Sequence, residues 1–259
     1  MTMGEELRAW LPAGGFGEEL YVFDEVDSTN TTAAALAHDG AAEGTLVVAD
    51  HQRRGRGRGG SRWETPAGTA IALSLVLRPS VEHPLRWTGL GALAVADGLQ
   101  QEGLAARIKW PNDVLLEGRK VAGVLAEADW EGDRLSHLVL GIGVNVRRGS
   151  VPEHGLAFAA TCVEEHAGRV VSRVRLTAAI IQALELRFAQ LGSARFLQAW
   201  EDRLAYMGEP VRVEMGQVTQ EGRLLGLGPE GEARLLLADG REVSCTGEAR
   251  WLRPVRSGP

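Results

Sequence analysis

The densest chemical signal in the chain is Gln52-Arg53-Arg54-Gly55-Arg56-Gly57-Arg58-Gly59-Gly60-Ser61-Arg62-Trp63, where five arginines and four glycines fall within ten residues. Glycine lets main-chain N–H groups approach a bound group closely. Arginine presents a planar fork of donors that matches carboxylate and phosphate oxygens. Such a loop suits an anionic ligand. Five like charges also repel, so the loop is expected to be mobile until an anion orders it. Trp63 at its edge offers a ring on which a base could stack. Taken alone, the run also fits a solvated loop or an RGG-like RNA binder, although RGG segments are usually long and tail-like and this one is short and internal.

A second signal is Lys109-Trp110-Pro111-Asn112-Asp113. A lysine at the end of a strand can aim an ammonium into a site, and Pro-Asn-Asp fixes its direction. That compact charge can meet carboxylate and phosphate oxygens together, which suits acyl-phosphate chemistry. The plain alternative is an ordinary strand-turn. Of 28 basic residues only Lys109 and Lys120 are lysine; where the chain keeps the ammonium it can matter, because the two cations are not equivalent at a chemical site. A third signal is Gly118 to Glu127 followed by Gly141-Ile142-Gly143-Val144-Asn145. Small residues in strands mark places where something packs close to the backbone, whether a ligand or another strand.

Other chemistries are disfavoured. The Gly-x-Gly comes late and no helix follows it, unlike a dinucleotide fingerprint, and there is no Walker lysine loop. Six histidines show no ligand spacing, so no metal ligand is expected from the chain. Ser28 lacks the context of a hydrolase nucleophile. A net charge of −6 gives no global basic field for nucleic acid. Cys162 and Cys245 form neither a metal spacing nor a disulfide framework. The start has no secretory signal and no apolar run spans a bilayer, so a cytoplasmic location is expected.

The elements that must carry these residues follow from periodicity. Strands are expected over Glu19–Val26, Thr45–Ala49, Thr69–Leu77 and Leu135–Val146. Arg107–Trp110 is extended because it precedes Pro111. A hairpin joins Asp113–Glu117 to Lys120–Ala128 through Gly118-Arg119. Helices are expected from Asp27-Ser28-Thr29-Asn30 to His38, over Pro84–Glu102, and over Leu176–Tyr206 in two pieces split at Gly192-Ser193. About 20 irregular residues precede the first strand. After Gly208 come short strands at Val211–Val213, Arg223–Leu227, Ala233–Leu237 and Glu242–Cys245. The expected division is 1–207 and 208–259.

Together, Ser28-Thr29-Asn30, Gln52, Gly55-Arg56-Gly57-Arg58-Gly59, Trp63, Lys109-Trp110-Pro111-Asn112-Asp113, Gly118-Arg119-Lys120 with Gly123, and Gly141-Ile142-Gly143-Val144-Asn145 resemble the biotin protein ligases in order and spacing. The resemblance runs from about Tyr21 to Arg253, with Gly247-Glu248 similar to the family's closing segment. It implies an α+β fold, with a mixed or antiparallel sheet and flanking helices of the class II synthetase type, plus a small C-terminal SH3-like β-barrel. It implies activation of biotin with ATP, carried with Mg²⁺, and transfer to a lysine of a carboxylase's biotin carboxyl carrier domain. By the same resemblance Ser28, Thr29, Asn30, Gln52, Gly55, Arg56, Gly57, Arg58, Lys109 and Gly123 would hold biotin. Arg56, Arg58, Trp63, Lys109, Asn145 and Arg147 would meet ATP, with Arg148 beside them and Arg250 or Arg253 as a further contact. Lys109, Arg56 and Arg58 would be catalytic. A DNA-binding domain, DNA and membrane are not expected; monomer and homodimer both stay open. The rival enzyme is a lipoate–protein ligase or octanoyltransferase.

Overall fold

The computed structural model describes residues 2–64, 66–79, 84–152, 158–246 and 249–255. Its main sheet has seven strands: β1 (Leu20–Val26), β2 (Leu46–Gln52), β3 (Ala70–Leu77), β4 (Arg107–Lys109), β5 (Asp113–Leu116), β6 (Arg119–Glu131) and β7 (Arg134–Asn145). They lie in the order β1-β2-β3-β7-β6-β5-β4. The β1–β2 pair is parallel and the other pairs are antiparallel. A parallel pair needs a crossover, and α2 (Thr29–His38) supplies it. The sheet is therefore mixed, as expected.

β3 is buried along its whole length, and alternation divides its side chains between two layers. Ile71, Leu73, Leu75 and Leu77 join the large apolar cluster beneath α3 (Pro84–Gln101) and α5 (Arg173–Phe188). Val76 instead joins Ala33, Ala37, Val47 and Val139 under α2. The face under α2 also carries the small and polar residues of the site.

Four local expectations are corrected. The N-terminal stretch is not irregular throughout: α1 (Met3–Arg8) forms because Thr2 and Glu5 make a capping box. Its Leu7 is fully buried in the main core. Leu7→Ala is expected to lower unfolding stability by about 2–5 kcal/mol, as for other core leucines, measured by urea denaturation; a loss below 1 kcal/mol would show that α1 is dispensable. The β5–β6 turn sits at Glu117-Gly118, one residue earlier than expected. Both residues have positive φ (47° and 74°), the backbone demanded by a two-residue hairpin turn that follows strand twist. α4 (Val163–Ala167) and β12 (Ala249–Pro254) were not anticipated.

A second, five-stranded antiparallel sheet is built from β8 (Pro210–Met215), β9 (Val218–Leu227), β10 (Ala233–Leu236), β11 (Glu242–Cys245) and β12, in the order β11-β10-β9-β8-β12. It is fastened to the rest of the chain. Trp110 Nε1 donates to Gly231 O at 2.8 Å, and the buried Arg86 donates to Pro229 O and, at 2.7 Å, to Leu191 O. Val213, Leu235 and Leu252 share one apolar cluster with Leu90 and with Trp200 of α6 (Ala194–Glu201). Among the described residues no helix is long and apolar enough to cross a membrane.

Candidate active site

A cavity of about 490 Å³ opens on the α2 face of the main sheet, within the range of small-molecule sites. Register explains its floor. Ala72, Gly143, Gly123 and Asp113 stand in one row across β3, β7, β6 and β5, and Ser74, Gly141 and Leu125 form the next. The two rows lie two residues apart, so both face the same side. Lacking side chains on β7, the floor is hollow. A Cβ on Gly143 would lie 2.4 Å from the Trp63 ring, and one on Gly141 would lie 2.1 Å from Asn30 Oδ1.

One end of the cavity is a buried, mostly neutral hydrogen-bonding set at the start of α2. Thr29 N and Oγ1 both donate to Gln52 Oε1, at 2.8 and 3.1 Å. Ser74 Oγ lies 2.8 Å from Thr29 Oγ1 and 2.6 Å from Asn30 Oδ1. Asn30 Nδ2 donates to Glu127 Oε2 at 2.7 Å. Ser28 is the N-cap residue of α2, yet its hydroxyl makes no capping bond.

The other end is cationic. Lys109 Nζ lies 2.7 Å from Asp113 Oδ2, and Lys120 Nζ lies 2.5 Å from Oδ1 of the same carboxylate. Burial alone would raise the Asp113 pKa, but Lys120 and Lys109 outweigh it and hold it below the usual carboxylate range. Burial pulls Lys109 below the ordinary lysine value; Asp113 opposes this, while Lys120 and Arg253 add to it. Burial likewise lowers Arg58, again opposed by Asp113. One carboxylate therefore serves several cations, and the balance favours an incoming anion.

The arginine–glycine loop roofs this end. It folds back on itself through an Arg56–Arg62 bridge, with Gly57 N donating to Ser61 O and Trp63 N to Gly55 O. Its charge repulsion is relieved by pairing: Arg53 meets Glu25 and Asp27, and Arg56 meets Glu127 at 2.8 Å. Glu127 thus ties Arg56 to Asn30, linking the roof to the neutral end.

Of the residues expected from sequence, Ser28, Thr29, Asn30, Gln52, Arg56, Gly57, Arg58, Trp63, Lys109 and Gly123 all line this one cavity. Gly55 is buried behind the loop, where a Cβ would lie 2.2 Å from Trp63 O. Asn145 is buried outside the lining and donates to Thr161 O at 3.1 Å. The Arg147 side chain is exposed, and its N–H donates to Thr69 O. Arg253 lies near enough for its charge to act on Lys109. Gly247-Glu248 and the side chain of Arg250 lie outside the described residues.

Residues 22–145 match the Biotin/lipoate A/B protein ligase family. The chain is 35% identical over 234 residues to the Bifunctional ligase/repressor BirA of Bacillus subtilis, covering 87% of this chain and 72% of that one. It is 37% identical to the Biotin--[acetyl-CoA-carboxylase] ligase of Paracoccus denitrificans, covering 84% of this chain and 94% of that protein. The chain belongs to the biotin protein ligase family. The structure of the biotin protein ligase from Aquifex aeolicus in complex with biotin and ATP superposes on this ligase with a TM-score of 0.79 at 30% identity, over 92% of this chain and 100% of that one.

Sequence reasoning about this biotin protein ligase missed Asp113, Lys120, Glu127 and Leu252 as site residues. Lys120 carried a signal, as one of only two lysines. Asp113 lay inside a motif already singled out but was read as a turn residue. Glu127 closed the segment Gly118 to Glu127, which was singled out for its small residues and not for its carboxylate; Leu252 had no signal, since a leucine near the C-terminus is an unremarkable type.

Proposed function

We infer that the chain joins biotin to ATP, giving biotinyl-5′-adenylate and pyrophosphate, and then passes the biotinyl group to a lysine ε-amine of a carboxylase's biotin carrier domain, releasing AMP. The observation that carries this reading is the union, in one cavity, of a neutral hydrogen-bonding end with a cluster of cations. A carboxylate and a triphosphate repel each other, so positioning and charge neutralisation are most of the work. Thr29, Asn30 and Gln52, with Ser28, supply paired donors and acceptors for the ureido ring. Lys109, Arg56 and Arg58 neutralise the biotin carboxylate and the α-phosphate, with Gly55, Gly57 and Gly123 letting the backbone come close. Trp63 offers its ring to the nucleotide; Asn145, bonded to Thr161 O outside the lining, and the exposed Arg147 stand as ATP-side residues on the family resemblance alone. No enzyme nucleophile is needed.

Asp113 is taken up by two lysines, and among the described residues no group of three or more His, Cys, Asp or Glu could hold a metal ion. Mg²⁺ would arrive on the triphosphate, held by the phosphate oxygens. The division at 207/208, an SH3-like closure of the second sheet, and a cytoplasmic setting for the free, buried Cys162 and Cys245 complete the proposal.

The test is incubation with ATP, Mg²⁺ and labelled biotin, with and without a carrier domain. Adenylate in the first case and labelled carrier in the second are expected; neither product would end the reading. Calorimetry with biotin against lipoate addresses the rival acyl group, because a dithiolane ring offers no amide to the hydrogen-bonding groups of the neutral end. RNA retention in a filter assay at moderate salt would revive the nucleic-acid alternative. Arg58→Gly is expected to release adenylate about tenfold faster, seen as biotin on a bystander protein. Unchanged retention would remove the loop from that role.

A further inference from the structure

The reaction inferred above creates a hazard inside the site that performs it. An acyl adenylate is made to be attacked by a lysine amine, and the chain's own two lysines both border the cavity in which it forms. Guanidinium groups carry no nucleophilic lone pair at neutral pH, so the 26 arginines are inert. A lysine is inert only while protonated, and burial favours its neutral, nucleophilic form. Lys109 is 3% exposed, so burial pushes this phosphate-binding cation towards the form that could accept an acyl group.

Asp113 stands where this can be prevented. Its two oxygens are divided between the two lysines, Oδ2 to Lys109 and Oδ1 to Lys120. The hairpin turn at Glu117-Gly118 and the Asp113–Gly123 register bring these residues together across β5 and β6. Lys120 is further braced by backbone bonds to Ala159 and Thr161. We propose that Asp113 is a positioning residue that holds both pocket lysines as ammonium ions, so that they bind the adenylate without being acylated by it. This rests on the biotin-activating reading of the same site.

The charges around the cluster agree with that role. Burial, Lys120 and Arg253 all push the Lys109 ammonium towards losing its proton; Asp113 opposes them, and the nearby Tyr206 hydroxyl is uncharged. Asp113 itself stays ionised, because the same cations hold it below the usual carboxylate range. Without it, a neutral Lys ε-amine would attack the acyl carbon and form an amide. The acyl C–O bond of the anhydride would break, AMP would leave with the electron pair, and the displaced amine proton would pass to solvent. The product is a chain permanently biotinylated in its own site.

The experiment exposes the wild-type chain and Asp113→Asn to preformed biotinyl-5′-adenylate at pH 7.5, followed by digestion and mass spectrometry. Asp113→Asn is expected to gain biotin on Lys109 or Lys120 at least tenfold faster than wild type, with activity falling in step. Equal rates in a folded variant would overturn the proposal. The wild-type chain alone gives a second test that does not depend on the variant folding. Between pH 6 and 9, its pocket lysines should gain biotin more slowly than its N-terminal amine; labelling as fast or faster would overturn the proposal. A carrier domain in a parallel wild-type reaction reports on the broader reading. If the carrier stays unlabelled while the pocket lysines behave as expected, the failure lies with carrier transfer and not with Asp113.

Discussion

Lys109→Ala is expected to cut adenylate formation on the order of 10²–10³-fold, or about 3–4 kcal/mol in the transition state, as for loss of one preorganised donor in a closed site. The size of the effect comes from burial. At 3% exposure the ammonium works where water cannot replace it. Removal also takes away one of the two lysine partners of Asp113, shifting the cavity towards a charge that repels both substrates. Biotin binding through the neutral end should survive better than turnover. Rapid-quench measurement of labelled adenylate, set beside calorimetry with biotin, separates the two. A variant that forms adenylate within a fewfold of wild type would take Lys109 out of the mechanism. Lys109→Arg should rescue little, because a planar fork cannot occupy the space of a compact ammonium.

Gly141→Ala should damage the opposite end. Its Cβ would fall 2.1 Å from Asn30 Oδ1, and Asn30 has nowhere to retreat. It is 4% exposed and is held by Ser74, by Leu125 O and by Glu127. Overpacking of this kind costs about 1–3 kcal/mol, so biotin affinity should fall roughly 10–100-fold. Affinity for ATP alone should change little, because the cationic end is untouched. Calorimetry with each ligand decides the matter, and an unchanged biotin affinity would contradict the placement of the biotin ring beside Asn30.

Much of the architecture was legible in the order of residues. β3 announced itself by a continuous apolar run between turn residues, and α3 by apolar spacing after Pro84. What was misread had short-range signals too weak to outweigh composition. α1 is six residues long in a glycine-rich stretch, and only the Thr2–Glu5 capping pair marks its start. β12 gains its partners from β8, nearly forty residues away, and no local pattern reports such a pairing. The hairpin turn was placed one residue late because Gly118 was given the leading position; the strand register requires Glu117 to take positive φ with it.

The sequence by itself determined the chemistry on offer: an arginine–glycine loop for anions, a strand-end lysine before Pro-Asn-Asp, and glycines where a ligand must approach the backbone. Those are properties of residue type, which no fold can alter. Tertiary structure alone decided who meets whom. Lys109 and Lys120 are eleven residues apart in sequence, yet they share one carboxylate because β5 and β6 pair across a two-residue turn. Glu127 latches the loop because β6 is long enough to carry it beneath Arg56, and Leu252 closes the cavity from the far end of the chain. Pairing of that kind is set by strand register and packing over tens of residues, and side-chain identity does not encode it locally.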